Sequence, residues 1–148
     1  MLTDADIGFL ERSVEAITPD DIEKEMRELP STLAFANARF ASAHNDYLLA
    51  KLVLEREEAQ LYLSTRSAFE AAGAKFTEKT LDSTVKMSDG YNDARRSLIG
   101  AEVERERLKG FCITLAAKRE MLVSIGMRIN AELRMDPIAA AQARGARG

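Results

Sequence analysis

The chain is most informative first in what it lacks. It has no tryptophan, one histidine and one cysteine among 148 residues, and only three prolines. A single cysteine, Cys112, excludes an intramolecular disulfide framework and fits a reducing compartment. It stands inside an apolar stripe and reads as a small core hydrophobe. The lone His44 lies in mid-helix, and no Glu-x-x-His, His-x-x-x-His or Cys-x-x-Cys spacing occurs. Di-iron and zinc readings therefore fail on ligand supply. Gly73-Ala74-Lys75 lacks the spacing of a phosphate loop, and adjacent Glu57 and Glu58 point in different directions, so they are no facing acid–base pair. These absences argue against an enzyme, a metal site and a bound cofactor. No apolar run approaches the ~20 residues of a membrane span, and the acidic N-terminus has no signal-peptide core. The expectation is a soluble cytoplasmic protein, in the host cytoplasm if phage-encoded. Strand-like alternation of useful length is missing too.

What the sequence does contain is helical periodicity on a long scale. From Tyr91 to Arg134 there is no proline, and Leu98, Ala101, Leu108, Cys112, Leu115, Leu122, Ile129 and Leu133 recur in steps that keep one helix face. As one helix this stretch is about 44 residues, or ~65 Å. Arg105 and Arg119 fall near its seam. From Ser31 to Gly73 a second stretch of about 43 residues carries Leu33, Ala36, Phe40, Ala43, Tyr47, Ala50, Leu54, Leu61 and Ala68 at the same spacing. The connector holds Leu81, Val85 and Met87, with Thr77 or Thr80 able to cap a short helix. Ahead of these, Ile7, Leu10 and Val14 mark a short amphipathic helix. Thr18-Pro19-Asp20-Asp21 opens another, expected to stop before Pro30.

The expected fold is all-α, a long antiparallel helical hairpin with short N-terminal helices. Three regions follow: an acidic arm over residues 1–30, the hairpin with its connector helix over 31–135, and a disordered alanine-, glycine- and arginine-rich tail over 136–148. Apolar residues surround the helix late in its course, which implies burial on several sides and hence a homo-oligomer. Its expected contacts are Leu115, Arg119, Met121, Leu122, Ile125, Ile129 and Leu133. Glu57 or Glu58 are candidate intersubunit partners for Arg119.

Net charge is −3, but it is uneven. Residues 1–30 hold nine acids and three bases, whereas residues 94–148 hold six acids and eleven bases. Repeated around a ring, bases near the hairpin tip would form a track for a phosphate backbone. The candidates for DNA contact are Arg56, Arg66, Lys75, Lys79, Arg95, Arg96 and Arg105, with Glu102 as a pairing partner for Arg105. Tyr62, Phe69, Phe76 and Tyr91 are near enough to stack on bases, although Phe69 reads better as filling the turn. Solvated helix faces are the plainer account of each charge taken singly.

Four segments resemble phage recombination mediator proteins of the UvsY type: Glu58-Ala59-Gln60 followed by Arg66; Thr77-Glu78 with Val85-Lys86-Met87; Asp93-Ala94-Arg95-Arg96; and Leu108-Lys109-Gly110-Phe111, continuing through Ala117-Lys118-Arg119-Glu120-Met121-Leu122 to Gly126-Met127-Arg128. The resemblance covers roughly residues 31–135. It implies a small helical protein that assembles into a ring, binds single-stranded DNA and helps load a RecA-like recombinase onto DNA coated by single-strand-binding protein. In that family a basic pair follows the Glu-Ala-Gln stretch. Arg66 matches its first member, but the second falls on Ala68, so other bases must contribute. The rival class is a helical scaffolding oligomer, as in virion assembly, with no affinity for DNA.

Overall fold

The computed structural model describes residues 3–15 and 22–135. Four helices make up nearly all of this: α1 (Asp4–Ser13), α2 (Ile22–Ala71), α3 (Glu78–Lys86) and α4 (Asp89–Met135). The described residues contain no strand. The start signal at Thr18–Asp21 and the tail 136–148 lie outside them.

The long helices bury a seam that repeats every seven residues. On α2 the buried positions include Leu29, Ala36 and Ala43; on α4 they include Ala94, Leu108, Leu115 and Leu122. A seven-residue repeat is the mark of helices packed along a shallow crossing, knobs into holes. Leu108, Leu115 and Leu122 are almost wholly inaccessible, each contributing about 1.5–3 kcal/mol by burial.

One expectation is corrected at Pro30. Helix α2 does not stop there but runs through it, from Ile22 to Ala71. Proline removes one backbone donor and normally costs about 3 kcal/mol in a helix interior. Here its ring is solvent-exposed, while Leu29, Thr32 and Ala36 on the same stretch are buried. The hydroxyls of Ser31 and Thr32 both donate to the Glu28 carbonyl, at 2.7 and 3.2 Å. Continuous burial on both sides of the proline outweighs the lost donor, so the predicted short helix and the long one are a single element.

The chain divides into two compact units, one containing Asn37–Gly110 and the other Asp4–Ala36 with α4 from Phe111 onward. In the first, α2 meets α4: Arg105 lies over the Tyr47 ring, and a methyl on Gly90 would meet Leu61 and Glu57 at 3.7 Å. Its core is Leu54, Val85, Tyr91 and Ala94, with Leu61, Tyr62 and Leu98 against it. In the second unit, α1 packs through fully buried Leu10 and an edge-on contact of Phe9 with Phe35, centroids 5.6 Å apart.

Candidate nucleic-acid interface

The end of the first unit is built by three local devices. Helix α2 terminates because Gly73 takes φ +63, a left-handed conformation in which glycine carries no penalty. The Ala74 N–H then reaches the Phe69 carbonyl and the Gly73 N–H the Glu70 carbonyl, both at 3.1 Å, satisfying the last carbonyls of the helix. Thr77 caps α3, its hydroxyl accepting from the Thr80 N–H at 3.2 Å. Ser88 does the same for α4, accepting from the Tyr91 N–H at 3.3 Å. Leu81 and Val85 bury the inner face of α3.

These devices place Phe69 and Phe76 in a stacked pair, ring centroids 5.4 Å apart and 24° from parallel. Lys75 and Lys79 stand on either side of Phe76 in sequence and are exposed. The Tyr62 hydroxyl donates to the Glu78 carboxylate. That hydrogen bond, with some desolvation, holds the Tyr62 phenol above its ordinary range. Tyr91 is buried in the core, so it is no stacking platform.

The predicted DNA-contacting bases separate into two groups. Arg66 is paired with Glu70 at 3.0 Å, a bond that also raises its affinity for its proton. Arg96 is paired with Asp93 at 3.1 Å. Arg105 is the most engaged: its guanidinium lies 4.1 Å from the Tyr47 ring centre, it bonds Glu106 at 2.6 Å, and its side chain is 19% exposed. Its partner is thus Glu106 rather than the expected Glu102, and the same carboxylate also meets Lys109 at 3.5 Å. The Arg105 hydrogen bond therefore lowers the Glu106 carboxyl below its ordinary value. By contrast, Arg56, Lys75, Lys79 and Arg95 form no ion pair or side-chain hydrogen bond among the described residues. An unpaired exposed base can neutralise a phosphate without first breaking a bond.

Sequence reasoning missed a row on α2. Phe40, His44 and Tyr47 stack along one edge, with centroids 6.2 and 6.4 Å apart, and Arg105 closes the row. Its signal is the Phe-x-x-x-His-x-x-Tyr spacing, in which Phe40 and Tyr47 fit the core periodicity and His44 stands outside it. On α2 and α4 an open groove of about 400 Å³ is lined by Ala43, Asp46, Ser97, Gly100, Ala101 and Glu104. It presents two carboxylates and no base, so a phosphate backbone gains nothing there.

Among the residues expected to join subunits, Leu115 and Leu122 are spent inside the second unit. Ile125 is half-buried, while Arg119, Met121 and Ile129 are exposed. The seam charge is Lys118, not Arg119. Lys118 is 5% exposed and pairs with Glu25 at 2.9 Å. Cys112 is half-buried, and burial pushes its thiol above the ordinary value, which suits an inert packing residue.

Among the described residues no group of His, Cys, Asp or Glu is placed to hold a metal ion, and no helix is long and apolar enough to cross a membrane. The chain matches no protein-family model, and comparison with curated proteins and with solved structures likewise returns no match.

Proposed function

We propose that the chain is a non-enzymatic recombination mediator: an oligomer that binds single-stranded DNA and helps load a RecA-like recombinase onto strands coated by single-strand-binding protein. The observation that carries the reading is the chemistry at the α2–α3 connector. There two exposed lysines without an ion pair among the described residues, Lys75 and Lys79, lie within three residues of Phe76, which stacks on Phe69. Cationic groups beside aromatic faces are what sequence-tolerant single-strand binding requires. Arg56 and Arg95 add uncommitted charge from α2 and α4. The long-hairpin and ring arrangement belongs to this proposal, with repetition around the ring supplying enough phosphate contacts.

The experiment is a fluorescence-anisotropy titration with labelled oligo-dT at low salt, comparing wild type with Lys75→Ala/Lys79→Ala, Arg95→Ala and Arg66→Ala. The connector double variant is expected to weaken binding about tenfold, and Arg66→Ala less, because Arg66 is already paired. Equal affinity for all four proteins would overturn the reading.

A scaffolding role is the second reading, and one observation favours it. Leu48, Leu49, Leu52 and Val53 leave a large apolar area of α2 open, with Leu52 60% exposed. Exposed patches of this kind mark surfaces that meet other proteins. A scaffold of this kind would self-associate and ignore oligo-dT.

A further inference from the structure

Lys118 is the one charged side chain that the described residues bury. A buried ammonium must be matched by acceptors, because an unmatched one is costly. Both of its acceptors come from the N-terminal part of the chain. The Glu25 carboxylate lies at 2.9 Å, and the main-chain carbonyl of Ser13 accepts at 2.8 Å. Ser13 is the last residue of α1, so this carbonyl belongs to the negatively polarised end of a helix. Two oxygens bearing negative charge around one ammonium are also what a phosphate group offers.

The cover over Lys118 is a short helix. Helix α1 has ten residues, too few to be stable alone in water. Its anchors include Leu10, the edge of Phe9 on Phe35, and the Lys118 bond. Beside this knot a cavity of about 280 Å³ is lined by residues including Arg12, Lys24, Glu25 and Glu28, so the contact is not fully packed. A helix this short beside an open cavity can open locally at far less than the global cost of unfolding. When α1 lifts, Lys118 loses its cover and one of its two acceptors, keeping Glu25. Next to it in sequence, Arg119 is exposed and makes no ion pair among the described residues.

We infer that Lys118 is a concealed phosphate-binding residue and that α1 is the clasp that conceals it. The inference rests on the nucleic-acid reading above and adds regulation to it. The Ser13 carbonyl and a strand phosphate compete for the same ammonium, so clasp opening and strand binding are linked. Whatever factor the strand gives to opening, opening gives to strand affinity. The acidic first thirty residues thus act as an internal competitor for polyanions.

The test is hydrogen exchange of the α1 amides in the full chain, with and without saturating oligo-dT at low salt, beside anisotropy titrations of Leu10→Ala and Lys118→Met. Saturating oligo-dT is expected to speed exchange of the α1 amides at least about fivefold. Leu10→Ala, which undocks the clasp without touching the charges, is expected to bind oligo-dT more tightly by a similar factor. Lys118→Met is expected to bind more weakly and to uncouple α1 exchange from oligo-dT. Oligo-dT binding with α1 exchange unchanged or slowed, or no gain in Leu10→Ala, overturns the clasp and leaves the nucleic-acid reading standing. No binding by the wild type overturns both. The wild-type and Leu10→Ala results decide the matter even if Lys118→Met is too unstable to assay.

Discussion

At the scale of single residues, the same side-chain types do opposite work according to what they meet. Lys75 and Lys79 are exposed and make no ion pair among the described residues, whereas Arg105 is engaged by Tyr47 and Glu106. That engagement has a pH signature. Because Arg105 lowers the pKa of Glu106 in the folded state, the carboxylate's contribution is present above the ordinary glutamate value of 4.5 and is lost as pH falls through the lower folded value. A carboxyl carbon-13 titration is expected to find the Glu106 midpoint below the ordinary value, and in Arg105→Gln it should move back up. Tyr62 has the opposite sign. Its folded pKa is raised by Glu78, so the contribution of that bond is full below the ordinary value of 10.0 and is lost as pH climbs through the higher folded value. Gly73 carries a different requirement. At φ +63, Gly73→Ala is expected to destabilise by about 1 kcal/mol in urea unfolding, and no loss would mean that the α2 terminus relaxes another way.

At the scale of elements, most of the helical content was legible because steps of three and four survive in any helix that buries one face. The ends were legible where chemistry forces them, as at Gly73 and at Thr77. Two features were not. Pro30 reads as a stop because local rules count its missing donor and cannot see Leu29 and Ala36 buried on either side. Lys118 was passed over in favour of Arg119 because both lie one turn from Leu115, and spacing alone does not say whether the seam advances by three or by four. The buried residues settle it by the step of three, from Leu115 to Lys118. The proline gives a clean check. If α2 is continuous, Pro30→Ala restores a helical donor and should stabilise the protein by ~1–3 kcal/mol in thermal or urea melts. If Pro30 instead began a new helix, the same change would be neutral or harmful.

The buried charge belongs to the same scale, since it ties α1 and α2 to α4. Lys118→Ala leaves Glu25 partly buried without its partner and should cost about 3 kcal/mol in denaturant unfolding. A cost comparable to that of an exposed ion pair, below about 1 kcal/mol, would mean that the contact is incidental.

At the scale of the whole molecule, two observations support the proposed assembly and polyanion binding. Large apolar side chains stay open on both long helices, among them Leu52, Leu63, Val103, Ile113 and Met127. A chain with this much unburied apolar surface is expected to self-associate, and a monomer at micromolar concentration in sedimentation velocity would contradict that expectation. The proposed polyanion binding rests on charge that is left over rather than on charge in excess. The chain is acidic overall, yet four of its candidate bases have no internal partner among the described residues. Sequence could count those bases but could not say which were free, because pairing depends on side-chain geometry across a helix face.

The most direct test of the account is therefore the salt dependence of oligo-dT binding by the wild-type protein, read by anisotropy. If phosphate neutralisation carries the affinity, log K falls linearly with log salt, with a slope of roughly −0.7 for each phosphate contacted on a single strand. Removing Lys75 and Lys79 should then make that slope shallower by about one to two contacts. An affinity that does not change with salt, or no binding at low salt, would contradict the central claim.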